Sequence, residues 1–111
     1  MSEKLYSIDG IKNIIVPIAR KYGIPAFYLF GSYARSTANI DSDIDLLVDT
    51  AGTELNSLFA LGVLYTELEQ AFGKHIDLIT VNSFDQNAMM PSDLRFRERV
   101  MEERVNIYAT A

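Results

Sequence analysis

The chain has 111 residues, 49% hydrophobic and 23% charged, which fits one folded domain with a single core and excludes a disordered chain. Ten Lys and Arg against fifteen Asp and Glu leave a net charge of −5. This argues against direct binding to nucleic acid, where a basic excess normally meets the phosphates. With no cysteine, disulfides, thiolate metal sites and a Cys nucleophile are excluded.

Met1-Ser2-Glu3-Lys4 lacks the basic-then-apolar pattern of a signal peptide, and apolar runs such as Leu58 to Tyr65 are too short to span a bilayer. The expectation is a soluble cytoplasmic protein without membrane contact, forming one domain over residues 1–111.

From Ser7 to Tyr22, Ile11, Ile14, Ile15, Ile18 and Tyr22 recur at helical spacing. Ser7 or Asp9 can cap this helix and Gly23 can stop it. Pro17 lies inside and predicts a kink or break near Asn13, whose carbonyl loses its donor. A first strand is expected at Ala26 to Phe30. The Gly31-Ser32 turn then opens a short helix through Arg35, and a polar loop, Ser36 to Ser42, leads to a second strand from Ile44 to Thr50. A long helix is expected from Glu54 to Phe72, burying Leu55, Leu58, Phe59, Tyr65, Leu68 and Phe72, with Gly73 as its end. His75 to Val81 reads as a third strand. After Pro91, Ser92 or Asp93 can cap a last helix to Val105. This order predicts a small sheet with helices packed on it and leaves the strand order open.

The chemistry is concentrated in Gly31-Ser32-Tyr33-Ala34-Arg35 and in Ser42-Asp43-Ile44-Asp45-Leu46-Leu47-Val48-Asp49. Residues i and i+2 of a strand share a face, so Asp43 and Asp45 point into one volume while Ile44, Leu46 and Val48 face the other way. Two carboxylates so close call for a cation. Asp77 is a third acid on a short apolar strand. One such acid can serve to keep a strand edge from aggregating, but three suggest convergence. If the third strand pairs with the second, Asp43, Asp45 and Asp77 can hold one or two Mg²⁺ ions, which share oxygen ligands with substrate phosphates.

Gly31-Ser32, Ala34-Arg35, Ser42-Asp43-x-Asp45 and the later Asp77 together resemble the minimal nucleotidyltransferases of the DNA polymerase beta superfamily. Within it they are most similar to the MNT antitoxins encoded beside HEPN-domain toxins. The resemblance implies an α/β (α+β) nucleotidyltransferase fold, with a small mixed sheet and helices packed on it. It implies that the Gly31 amide and Ser32 hydroxyl hold the β- and γ-phosphates of a nucleoside triphosphate, where a helix start offers N–H groups to anions. Asp43 and Asp45 then bind two Mg²⁺ ions, and Asp77 binds the one nearer the acceptor and helps remove its proton. ATP is the implied donor, a HEPN ribonuclease toxin the partner and its tyrosine hydroxyl the acceptor. Ser36 departs from the pattern, since many relatives have glycine after the arginine.

Other readings compete at single residues. Ser32 can be a plain helix cap, and Arg35 either a phosphate contact or a surface ion pair. Asp49 reads as a solvent-facing strand end, Asp41 and Ser42 as turn formers. His75 shares the strand parity of Asp77 but reads first as an exposed strand-start residue. In the last helix Arg95, Arg97, Arg99 and Arg104 alternate with Glu98, Glu102 and Glu103 as a solvated, ion-paired face. The sharper alternative is a docking surface extended by Met89 and Met90. A non-catalytic antitoxin acting by occlusion and a transferase acting on a small molecule are the competing functions.

Overall fold

A computed structural model describes residues 5–55, 57–81 and 91–110, apart from the side chains of residues 91–94. Met89 and Met90 lie outside the described residues. Helix α1 (Ile8–Tyr22) begins at Ser7, whose hydroxyl accepts from the Gly10 N–H at 3.0 Å, and ends on Gly23 in the left-handed conformation. It runs through Pro17 without the expected break. Ile11, Ile15, Ile18 and Ala19 of this helix are buried, and that packing outweighs the single hydrogen bond lost at Asn13.

Strand β1 (Ala26–Phe30) leads directly into the one-turn helix α2 (Gly31–Ala34), and β2 (Ile44–Asp49) follows the polar loop. Helix α3 (Leu58–Phe72) starts later than Glu54. Ser57 caps it by accepting from the Ala60 N–H at 3.1 Å, while Thr53 ties the preceding segment into a turn through Thr50 and Leu55. Leu64, Leu68 and Phe72 repeat every four residues and define its inward face. Leu58 and Phe59 precede that face and are 89% and 83% exposed, contrary to the expected stripe. Strand β3 (Ile76–Thr80) and helix α4 (Pro91–Glu103) complete the expected elements.

A fourth strand was not foreseen. Helix α4 stops at Glu103, and β4 (Val105–Ala109) pairs antiparallel with β1. Its Ile107 enters the core, and the Arg104 guanidinium lies 4.4 Å from the centre of the Tyr28 ring at the helix-to-strand corner.

The sheet order is β3-β2-β1-β4, with β1 antiparallel to β2 and β2 parallel to β3. Parity divides it into two faces. Phe27, Leu29, Ile44, Leu46, Val48 and Ile76 join the residues of α1 and α3 in the main core. Phe30, Leu47 and Val100 form a smaller cluster with Tyr28 and Ile79 on the α4 face. The alternating residues Asp45 and Asp77 therefore belong to the α4 face, away from the main core.

Candidate active site

Parallel pairing of β2 and β3 puts Asp45 directly opposite Asp77. The register places Ile44 opposite Ile76, and the Ile44 N–H donates to the His75 carbonyl at 3.2 Å, so Asp43 enters beside His75. One oxygen each from Asp43 and Asp77 and one nitrogen of His75 lie within 4.8 Å of one another, and among the described residues no other group of three or more acids and histidines does so. Asp45 is half-buried behind them and shares a hydrogen bond with Asp77. The three acids thus meet on one side of the sheet.

Their electrostatics follow from that crowding. Burial, a hydrogen bond to Asp77 and the charges of Asp77 and Asp43 push the Asp45 carboxyl from its ordinary 3.8 up to about 7, with Arg35 opposing. For His75, partial desolvation pulls the imidazole down, but Asp43, Glu69 and Asp77 together outweigh it and hold the ring above its ordinary value.

The raised Asp45 makes stability depend on pH. Between about pH 4 and 7 the folded chain binds a proton that the unfolded chain releases, so this contribution is complete below pH 4 and lost as pH rises through 7. It amounts to about 1–2 kcal/mol once solvent screening at the half-open site is allowed for. A divalent cation favours the ionised form. In EDTA the melting temperature is expected to be lower at pH 8 than at pH 5.5, and 10 mM MgCl₂ is expected to raise it more at pH 8. An equal magnesium effect at both values, read by differential scanning fluorimetry, would exclude a cation-binding role for Asp45.

Gly31 joins β1 to α2 at φ +71. A β-carbon there would overlap the Asp45 carboxylate and lie 2.9 Å from its Cγ. Glycine is therefore required twice, for the left-handed backbone and for the approach of the acid. Phe30 holds the N-cap position of α2 and makes no side-chain cap bond. Ser32 is the second residue of the turn, so the plain-cap reading fails for it. Ser36 adopts φ +62 without being glycine. Ser36→Gly is expected to raise stability by about 0.5–1 kcal/mol, measurable as a higher denaturation midpoint, since relief of left-handed strain exceeds the added chain entropy.

Arg35 pairs with Glu103 of α4 at 3.0 Å. Both line a hollow of about 370 Å³ between the sheet and α4, with Gly31, Asp45 and Asp77 on one wall and Phe30, Phe96 and Arg99 on another. Larger hollows flank the start of α3, but among the described residues no cluster of acids lines them.

Several residues of the site carried little signal in the sequence. His75 is brought to the acids after being read first as a surface residue. Its Nδ1 lies 3.2 Å from a Glu69 oxygen and 3.3 Å from the Tyr65 hydroxyl, and Tyr65 and Glu69 stand one turn apart on α3. That i, i+4 spacing was readable, but its target was not. The Lys74 ammonium is buried and donates to the Ile40 carbonyl at 2.7 Å, tying the loop that delivers Asp43 to the start of β3. Arg99, read as part of a solvated face, borders the hollow. Asp49 accepts from the Ala51 N–H at 3.0 Å and closes a turn away from the acids.

The chain is similar to known proteins in sequence and in fold. A family model for the nucleotidyltransferase domain matches residues 11–107. A Methanocaldococcus jannaschii protein named "Putative protein adenylyltransferase MJ0435" is 37% identical over 101 residues, 91% of this chain and 98% of that protein. Protein adenylyltransferase MntA of Thermococcus cleftensis is 36% identical over 83 residues, 71% of this chain and 82% of the relative. A crystal structure of a toxin–antitoxin with AMP-PNP superposes with a TM-score of 0.68 at 26% identity, covering 89% of this chain and 73% of that one. Family model, relatives and fold agree: the chain belongs to the nucleotidyltransferase domain family and is a nucleotidyltransferase.

Proposed function

We propose that this nucleotidyltransferase moves AMP from ATP onto a tyrosine hydroxyl of a partner HEPN ribonuclease toxin, and so acts as its antitoxin. The observation that carries the reading is the pairing of Asp45 with Asp77, flanked by Asp43, at the mouth of a hollow whose lip is the start of α2. The adenylyl donor is supported by the two relatives named protein adenylyltransferases, and a toxin partner by the toxin–antitoxin neighbour with AMP-PNP. HEPN chemistry and the tyrosine follow from the motif resemblance.

The Gly31 and Ser32 amides, at the start of α2, face the triphosphate, and the Ser32 hydroxyl adds a donor. Arg99 supplies positive charge along the hollow beside the Arg35–Glu103 pair, while Phe30 and Phe96 offer apolar surface to the base and ribose. Asp43, Asp45 and Asp77 form a carboxylate set of the kind that holds a divalent cation such as Mg²⁺ beside substrate phosphates. When bound there, the ions supply charge neutralisation of the triphosphate and of the attacking oxygen. Asp77 accepts the proton of the tyrosine hydroxyl. That oxygen forms a bond to the α-phosphorus, the bond from the α-phosphorus to the bridging oxygen breaks, and pyrophosphate leaves with the electron pair.

The test incubates the chain with Mg²⁺, α-labelled ATP and the HEPN-type product of a neighbouring gene. Label on a partner tyrosine, together with loss of ribonuclease activity, is the expected result. Neutralisation without label, retained by Asp43→Ala, would replace transfer by occlusion. Label on an aminoglycoside or other small acceptor instead of the partner would move the activity to small molecules.

A further inference from the structure

We propose that His75 is a metal ligand which, with Asp43 and Asp77, builds a mixed nitrogen–oxygen site selective for a first-row transition ion over magnesium. The proposal rests on the transferase reading of the same acids and deepens it by naming the ion.

Three observations place the imidazole in the donor set. His75 immediately precedes β3 and lies two residues before Asp77, and the Ile44 N–H bond to the His75 carbonyl, just ahead of the Ile44–Ile76 pair, brings Asp43 alongside His75. One donor atom from each of the three falls within a common 4.8 Å. The ring is also oriented. Nδ1 faces Glu69 at 3.2 Å, and Nε2 faces an Asp77 oxygen at 3.4 Å. A proton on Nδ1 donated to Glu69 leaves the Nε2 lone pair facing Asp77. This carboxylate–histidine arrangement is the one that fixes tautomer and direction in metal-binding histidines. Tyr65 packs edge-on to the ring, with centres 6.3 Å apart, and holds it from a second side.

Ligand chemistry then decides the ion. Magnesium takes oxygen ligands and parts reluctantly with its water, whereas imidazole favours transition ions. Two carboxylates and one imidazole suit Mn²⁺ or Co²⁺ and leave positions open for water and substrate oxygens.

The experiment uses the full chain and the metals alone. Pulsed electron paramagnetic resonance of bound Mn²⁺ is expected to show ¹⁴N coupling from one imidazole, absent in His75→Gln. By calorimetry, Mn²⁺ is expected to bind at least about tenfold more tightly than Mg²⁺. His75→Gln is expected to weaken Mn²⁺ by about 10–100-fold and Mg²⁺ by less than about threefold, and Glu69→Gln to weaken Mn²⁺ by about tenfold. No nitrogen coupling in the unaltered chain, or equal changes for both ions, would overturn the proposal, and His75 would then be a counter-ion to the acids. AMP transfer with magnesium but without nitrogen coupling removes this inference and leaves the function. Nitrogen-coupled Mn²⁺ in a chain that labels no acceptor removes the function and leaves the site.

Discussion

Asp77→Asn is expected to lower AMP transfer by about 10³-fold while leaving the fold intact or slightly more stable. The side chain is 54% exposed and takes no part in either apolar cluster, so an isosteric amide disturbs no packing. What it removes is a charge placed beside Asp45 and, on the proposed mechanism, the acceptor of the attacking hydroxyl's proton. General-base loss alone is worth about 10²–10⁴-fold, and loss of an electrostatic partner at the reacting centre is of similar size, so the combined effect falls at or above the middle of that range. Stability moves the other way. Without the neighbouring charge Asp45 ionises more readily, which reduces the loss of stability between pH 4 and 7. Single-turnover label transfer and a thermal melt on the same preparation separate the two effects. Activity within tenfold of the unaltered chain would remove Asp77 from the chemistry.

The second large effect concerns a residue without a side chain. Gly31→Ala is expected to destabilise the fold by about 2–4 kcal/mol and to reduce transfer by at least about 10²-fold. Left-handed backbone costs an alanine about 1–2 kcal/mol. The new methyl would lie 2.9 Å from the Asp45 Cγ and 3.2 Å from its Cβ, so the acid must shift from its place opposite Asp77. A misplacement of about 1 Å at a reacting centre is enough for the activity loss. A double-mutant cycle isolates the contact. In an Asp45→Ala background the steric part disappears, and Gly31→Ala should cost only the backbone part, about 1–2 kcal/mol by denaturant midpoint. An unchanged cost in both backgrounds would show that the glycine serves the backbone alone.

Much of this molecule was readable from local pattern, and the failures have local reasons. Strand β1 was found to the residue because Ala26 to Phe30 is an unbroken apolar run between Pro25 and Gly31. The helix ends at Gly23 and Gly73 followed from glycine's access to left-handed backbone. Strand β4 was missed because Val105–Ala109 has only five residues and lies directly after a charged helix, with no turn of glycine or proline between them. Its strand character comes from the open edge of β1, which no local window contains. Leu58 and Phe59 were assigned to the core because hydrophobicity reports what a side chain would bury, and here the inward face begins at Leu64.

The order of Gly-Ser, Asp-x-Asp and a later lone aspartate belonged to the linear chain. So did the shared face of Asp43 and Asp45, since a strand alternates its side chains whatever lies beside it. Which strand stands next to β2 was a different matter. Only the parallel pairing with β3 set Asp77 against Asp45, carried His75 with it to Asp43, and turned Glu69 of α3 toward the ring. Backbone pairing acts between residues far apart in the chain, and no periodicity within a strand encodes its neighbour.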